Sequence, residues 1–442
     1  MELIIGSDIR VKNPSKGVIR WAEKSLVFPN PQYYKAVALG KYSRNIEKSV
    51  CLFAVDGGDL IVPFGCLSGL WREASKERFS YSLSFPEEKK CGIRGDIGLY
   101  DYQKKAMEAM ITGKNGVLQA PCGSGKTQIG LALIKSLGKK ALWLTHTRKL
   151  LLQSMERCKR YYEGDFGTIT DGKVRIGGDI TFATVQTMSE IDPEIYRNAF
   201  SVVVVDECHH CVGTPSNVRQ FYKVLRNCNC RNKFGMSATI ERKDGLTPCV
   251  FSLLGEKLYE ITEEEVGSKI VKASHIGIEI AHRYDVSEYS GYDGMVDYNK
   301  MIAAICGCDE RNRKIAEKAE EARAEGRKQI ILTARVEHAR ILSEMIPGSS
   351  LCVGKIPEGK RDYSSDVIVA TYALAKEGLD IPELDTLHLA TPSKDRTTVK
   401  QSAGRVERSC AGKKNPVIYD YVDVGIPYCK RAFNIRKNIL KK

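Results

Sequence analysis

The chain has 442 residues, 43% of them hydrophobic and 28% charged, enough apolar material for two or three cores and too much chain for a single small domain. Lysine and arginine number 68 against 54 acidic residues, a net charge of +14, which favours a polyanionic partner, nucleic acid first. The apolar run before Gly6 is too short for a signal peptide and no stretch of about 18 apolar residues occurs, so the sequence predicts a soluble, cytoplasmic protein without a membrane partner. Fifteen cysteines, scattered and odd in number, do not make a secreted disulfide framework, and reduced thiols are expected.

Residues 1–90 hold short strand-like runs, SVCLFAV at 49–55 and DLIVPFG at 59–65, punctuated by Pro, Asn and Gly; this is the pattern of a small α+β domain. The stretch FPEEKKCGIRGDIG at 85–98 lacks hydrophobic periodicity and reads as a linker. From Leu99 onward, buried strands (GVLQA, ALWLTH, ITFATV, VVVVD) alternate with helical patterns such as IGLALIKSL and KLLLQSMERCKRYY, which is the arrangement of a parallel sheet covered on both faces. After about residue 266 a second series begins. The charged helical pattern at 311–326 precedes QIILTA, and DVIVAT, TLHLAT and PVIYDYV follow. The predicted fold class is α/β, with two tandem parallel-sheet domains, 91–265 and 266–442, behind a small amino-terminal domain, 1–90. Six basic and no acidic side chains occupy the last thirteen residues, either as a solvated helix end or as a phosphate contact.

The segment APCGSGKT at 120–127 joins an apolar strand to a helical pattern, the setting of a phosphate-binding loop. Gly123, Ser124 and Gly125 let backbone amides curl around a triphosphate, Lys126 brings positive charge to the β and γ phosphates, and Thr127 can ligate Mg²⁺. Ala120 stands where the usual pattern begins with Gly. Eighty residues on, Asp206 and Glu207 follow VVVV at the carboxyl end of a strand, where open α/β sheets bind ligands. Asp206 would hold the metal, and Glu207 would orient and deprotonate the attacking water.

Cys208 and Cys211, with Cys228 and Cys230, approach the spacing of a zinc site. However, the first pair lies past the carboxyl end of VVVVD and the second near the amino end of KFGMSAT, edges about 17 Å apart for a five-residue strand, so one ion is not expected to join them. In the second domain, QSAGRVER at 401–408 sets Gln401, Arg405 and Arg408 at helical spacing, predicted to share one helix face and supply arginine fingers to a γ-phosphate.

Taken in order, the loop, DECH at 206–209, SAT at 237–239 and QSAGRVER resemble the motifs of superfamily-two helicases and translocases, over about residues 96–425. LYDYQ at 99–103 resembles the Q motif, with Tyr100 and Gln103 on the adenine. THTRKLLLQ at 145–153, TVQT at 184–187, LTARVEHARIL at 332–342 and VIVATYALAKEGLDIPELDTLHLATP at 367–392 resemble further motifs. SATIERKDG and the LDIPELDTLHLATP run are most similar to phage branch-migration helicases of the UvsW kind and, more distantly, to XPB-type repair helicases. Relatives often carry Arg where Tyr100 stands, and Ala or Ser where Cys208 stands.

The resemblance implies two RecA-like domains with ATP and Mg²⁺ in the cleft between them, and an amino-terminal domain that binds DNA. Ser237 and Thr239 would couple hydrolysis to domain movement, while Gly378 and Asp380 would lie beside the nucleotide. Arg148, Gln186, Thr187, Arg335 and Thr371 match positions that touch a nucleic-acid backbone. The implied activity is an ATP-dependent DNA helicase or translocase of phage or prophage origin, acting in the host cytoplasm on forked, branched or single-stranded DNA, with other replication or recombination proteins as further partners. A duplex translocase that does not separate strands, an RNA helicase, and a catalytically silent nucleic-acid-binding scaffold are the alternatives. Tyr372 and a hairpin within 163–180 are candidates for a strand-splitting wedge, or else ordinary structure.

Overall fold

A computed structural model describes residues 1–40, 45–121, 123–242, 244–267, 271–291, 295–354, 356, 360–376, 381–408, 410 and 412–441. The chain divides into two compact units, Met1–Glu265 and Val266–Lys442. Among the described residues no helix is long and apolar enough to cross a membrane.

In the first unit, a five-stranded sheet opens the chain in the order Ala54–Asp56, Asp59–Pro63, Asp8–Lys12, Glu2–Ile5, Ser80–Leu83. Alternating burial along Glu2–Ile5 and Asp8–Lys12 marks a sheet with one face on a core, and the helices Lys16–Ser25 and Leu67–Ala74 contribute Val18, Ala22, Leu70 and Ala74 to it. Val212, Leu246 and Cys249 join the same cluster, so this small layer is continuous with the one that follows. Gly65 makes the junction tight. A Cβ there would meet the Phe251 carbonyl oxygen at 2.2 Å.

The larger sheet of this unit has eight strands in the order Lys173–Arg175, Phe166–Thr170, Ile180–Thr184, Ala141–Thr145, Val202–Asp206, Asn232–Ser237, Gly116–Gln119, Lys257–Glu260. All its pairings are parallel except that of Lys173–Arg175 with Phe166–Thr170. Val202–Asp206 is buried along its whole length because β-branched side chains on both faces pack under helices, as a central parallel strand requires. The segment 163–180 forms the antiparallel edge of this sheet, turning at Asp171 and Gly172, both at positive φ. Cys208, Cys211, Cys228 and Cys230 are all buried members of its core. Cys208 lies against Gly235, where an added Cβ would come within 2.8 Å of its Sγ.

The second unit is a six-stranded sheet, parallel throughout, in the order Ser274–Ile280, Val417–Asp423, Thr386–Leu389, Gln329–Thr333, Val367–Thr371, Ser350–Cys352. Strand Val417–Asp423 carries two buried carboxylates that anchor helices. Asp423 Oδ1 accepts from Arg311 Nε at 3.0 Å, on helix Asp309–Ala324, and from the Tyr284 hydroxyl at 2.9 Å. Asp420 takes a two-pronged contact from Arg436 of helix Pro427–Leu440, at 2.8 and 2.6 Å. Both architectures match the predicted α/β class.

Two expectations need correction here. Helix Arg396–Val406 ends before Arg408, with the Glu407 N–H closing the last turn on Ala403, so helical phase carries Gln401 and Arg405 but not Arg408. Tyr372 is buried, with its hydroxyl donating to the Thr391 carbonyl at 2.7 Å, and is no exposed wedge.

The Arg436–Asp420 pair has no exposure on either side chain. Arg436→Ala would leave the buried Asp420 carboxylate to the His275 ring, 3.0 Å away, and is expected to destabilise the second unit by about 3 kcal/mol, read as a lower urea midpoint for its transition. Asp420→Leu combined with Arg436→Met should recover most of that loss.

Candidate active site at the carboxyl ends of the strands

Register brings the motifs together. Gln119 pairs with Ser237, Met236 with Asp206, and Val205 with Leu144, so four neighbouring strands end side by side and deliver the loop 120–125, Ser237, Asp206 with Glu207, and His146 to one edge. The Ala120 N–H donates to the Ser237 carbonyl at 2.9 Å, tying the loop to the adjacent strand.

The loop turns into helix Lys126–Leu137 through Gly123 at φ +84° and Gly125 at φ +80°, a conformation that glycine adopts without strain. Gln103 braces it from beneath. Only 1% exposed, its side chain accepts the Tyr100 N–H at 2.9 Å and donates to the Ser124 carbonyl at 2.8 Å. A Cβ at Gly125 would meet Gln103 Nε2 at 2.3 Å. Ser124 Oγ donates to the Pro121 carbonyl at 2.7 Å, and Lys126 Nζ to the Ala120 carbonyl at 3.2 Å. Tyr100 is half exposed and stacks on Tyr102 with ring centres 5.9 Å apart.

Asp206 and Glu207 are driven apart electrostatically. Burial pushes the Asp206 carboxyl up, and the charge of Glu207 adds to the effect. Burial opposes ionisation of Glu207 as well, but the hydrogen bond from His209 and the charge of Lys126 outweigh it and hold this carboxyl below the usual range. Glu207 Oε2 lies 3.3 Å from His209 Nδ1 and 3.4 Å from Ser237 Oγ, and His209 Nδ1 is itself 2.9 Å from Ser237 Oγ. The backbone of Glu207 sits at φ +52°, ψ +50°, a left-handed conformation that costs a residue with a Cβ about 1–2 kcal/mol. Ser237 Oγ also accepts the Thr239 N–H at 3.3 Å.

A wall of imidazoles backs this site, and motif reasoning did not single it out. His146 and His210 have ring centres 4.0 Å apart, and His210 and His209 are 4.2 Å apart. Burial lowers the pKa of His146 and takes that of His210 down to about 3, so both rings are neutral at pH 7. The doublet at 209–210 was visible in the sequence; the approach of His146 from another strand was not.

The remaining expected residues are dispersed. Arg148 is paired with Asp171 at 2.6 Å, and Gln186 Nε2 donates to the His146 carbonyl at 2.8 Å. Thr187 and Thr371 are buried; the Thr187 hydroxyl accepts from Thr184 at 3.2 Å. In the second unit Arg335 is exposed and donates to Asn299 at 3.1 Å, Gln401 is buried, and Arg405 Nη2 donates to the Ala375 carbonyl at 3.2 Å. Gly378 and Asp380 lie outside the described residues.

A glycine turn between strand and helix, a paired Asp and Glu at the next strand end but one, and a serine between them have the layout of a P-loop ATPase site on a RecA-like sheet. The comparisons agree. Residues 96–242 match the family described as type III restriction enzyme, res subunit. The chain is 27% identical over 350 residues to an Acanthamoeba polyphaga mimivirus protein named for ATP-dependent RNA helicase activity, covering 76% of this chain and 66% of that protein. It is 22% identical over 350 residues to the ATP-dependent DNA helicase uvsW of Enterobacteria phage T4, covering 73% of this chain and 68% of that one. Its fold is similar to S. cerevisiae Dbp5 bound to RNA and ADP BeF3, with a TM-score of 0.55, 16% identity, and 77% and 86% of the two chains covered. The chain is similar to these helicases over about three quarters of its length.

Glu207→Gly would relieve the left-handed backbone while deleting the carboxylate. The variant is expected to melt a few degrees above Glu207→Ala in differential scanning calorimetry and, like it, to lose ATP hydrolysis; a melting temperature no higher than that of Glu207→Ala would show that the backbone there carries no strain.

Proposed function

We propose that this protein is an ATP-dependent DNA helicase or translocase that remodels forked or branched DNA. The observation that carries the reading is a Glu207 carboxylate kept ionised in a buried setting, with Lys126 of the phosphate loop acting on it electrostatically. An ionised, positioned carboxylate suits accepting a hydrogen bond from the water that attacks a γ-phosphate and so orienting it. Tyr100 and Gln103 would serve the adenine end, Gln103 through its brace on the loop. Gly123, Ser124, Gly125 and Lys126 would cradle the phosphates.

The donor set fits Mg²⁺. Thr127 supplies a hydroxyl and Asp206 a carboxylate, both hard oxygen donors, and a cation at Asp206 would offset the burial that pushes its carboxyl up. Bound there, Mg²⁺ supplies charge neutralisation for the phosphates. Gln401, Arg405 and Arg408 would sense the γ-phosphate, with Gly378 and Asp380 beside the nucleotide. Through its contact with Glu207, Ser237 would report the state of the site to Thr239. Arg148, Gln186, Thr187, Arg335 and Thr371 are the proposed nucleic-acid side, Thr187 and Thr371 acting through backbone position because their side chains are buried. The net charge of +14 supports salt-sensitive, sequence-independent binding. DNA is favoured by the similarity to the phage T4 DNA helicase, with other replication or recombination proteins as further partners in the host cytoplasm.

ATP hydrolysis measured without nucleic acid and with single-stranded DNA, forked DNA or RNA tests this reading, with Glu207→Gln as the blank. Forked DNA is expected to stimulate at least tenfold, RNA weakly, and the variant should be inactive. Stimulation by RNA alone would make the protein an RNA motor, and indifference to every nucleic acid would favour a silent scaffold.

A further inference from the structure

On the second unit, Tyr298, Lys394 and the helix residues Tyr428 and Arg431 gather near Arg335, which is bonded to Asn299 beside Tyr298. Arg436 donates to the Ser393 carbonyl at 3.1 Å while held by Asp420, and so fixes the loop before helix Arg396–Val406 against helix Pro427–Leu440. The neighbouring Lys394 is thereby set with its Nζ 3.6 Å from the centre of the Tyr428 ring. Tyr428 meets Tyr298 edge to face, with ring centres 5.8 Å apart at 60°. Tyr298 opens helix Tyr298–Gly307, whose Met301, Ile302 and Ile305 form one apolar cluster with Ile426 and Cys429, and the Tyr428 ring packs on that base.

The cations here lack acidic partners. Among the described residues no ion pair is formed by Lys394, Arg431 or Arg335, and the acids beside Tyr298 and Lys394 in sequence cap helices: Asp297 accepts the Asn299 and Lys300 N–H groups, and Asp395 the Thr397 N–H and the Thr398 hydroxyl. Arg431 lies one helical turn past Tyr428 and is exposed, and its charge opposes that of Lys394. Crowded, unneutralised cations around an exposed ring, with Tyr298 44% exposed, are the chemistry of a surface that takes phosphates and an unpaired base.

We propose that Arg335, Lys394 and Arg431, with the rings of Tyr298 and Tyr428, form a binding surface for a single nucleic-acid strand on the second unit. The cations take successive phosphates, and Tyr298 stacks on a base. A duplex presents no free base face to such a ring, so the surface discriminates single strands from duplexes. This inference rests on the nucleic-acid motor reading above and extends it from Arg335 to four residues outside the recognised motifs.

The test is fluorescence anisotropy of the full chain with an oligothymidine and with a duplex, each over a salt series. Lys394→Ala/Arg431→Ala is expected to weaken oligothymidine binding at least tenfold and to reduce the log–log salt slope by about 1.4, two lost single-strand contacts. Tyr298→Ala should weaken the single strand roughly fivefold or more with little effect on the duplex, and Tyr298→Phe should restore it. Circular dichroism melting of each variant checks the fold. Variants that bind with unchanged affinity and slope, while the parent protein binds, would overturn this surface and leave the motor reading standing. A parent protein that binds no nucleic acid would overturn both.

Discussion

The site depends on the adjacency of parallel strands that end at the same edge of one sheet. Because Gly116–Gln119, Asn232–Ser237, Val202–Asp206 and Ala141–Thr145 are neighbours in register, four loops far apart in sequence are fixed side by side, each about 4.8 Å from the next. A parallel sheet aligns the carboxyl ends of its strands, and the crossover helices return the chain to the opposite edge each time. A slip of one residue in Val202–Asp206 would turn Asp206 to the other face of the sheet and separate it from the loop.

Within that frame the chemistry comes from unequal treatment of two adjacent acids. Burial acts on both. Only Glu207 has a histidine hydrogen bond to oppose it, so the pair is split into a carboxylate that stays charged and one that is pushed up. The strained backbone of Glu207 and the neutral imidazoles behind it belong to the same compromise: stability is given up locally to hold a charge where water is scarce. His209, in contact with both Glu207 and Ser237, makes the second and third motifs one hydrogen-bonded group.

The second unit solves a different problem with the same element. Its strand Val417–Asp423 carries two buried carboxylates, each paired with an arginine from a covering helix. Such pairs add little net stability but fix which helix sits where. That placement sets Lys394 over Tyr428 and leaves the neighbouring cations turned to solvent.

The sequence by itself determined the class of fold and placed the glycine loop between strand and helix and the paired acids at a strand end, because each is a local pattern: an apolar run, glycines at a turn, charges after a run of valines. Tertiary structure alone decided what those residues touch. Gln103 was legible as a motif residue, yet its brace on the Ser124 carbonyl depends on a loop 21 positions away. Arg408 matched helical spacing but lies past the helix end, since spacing does not show where a helix stops. Thr187, Thr371 and Tyr372 looked like surface contacts and are buried, because burial is fixed by what packs from distant segments. The approach of His146 to the His209–His210 doublet and the tyrosine–cation cluster have no local signature; they exist only where the fold brings separate strands and helices together.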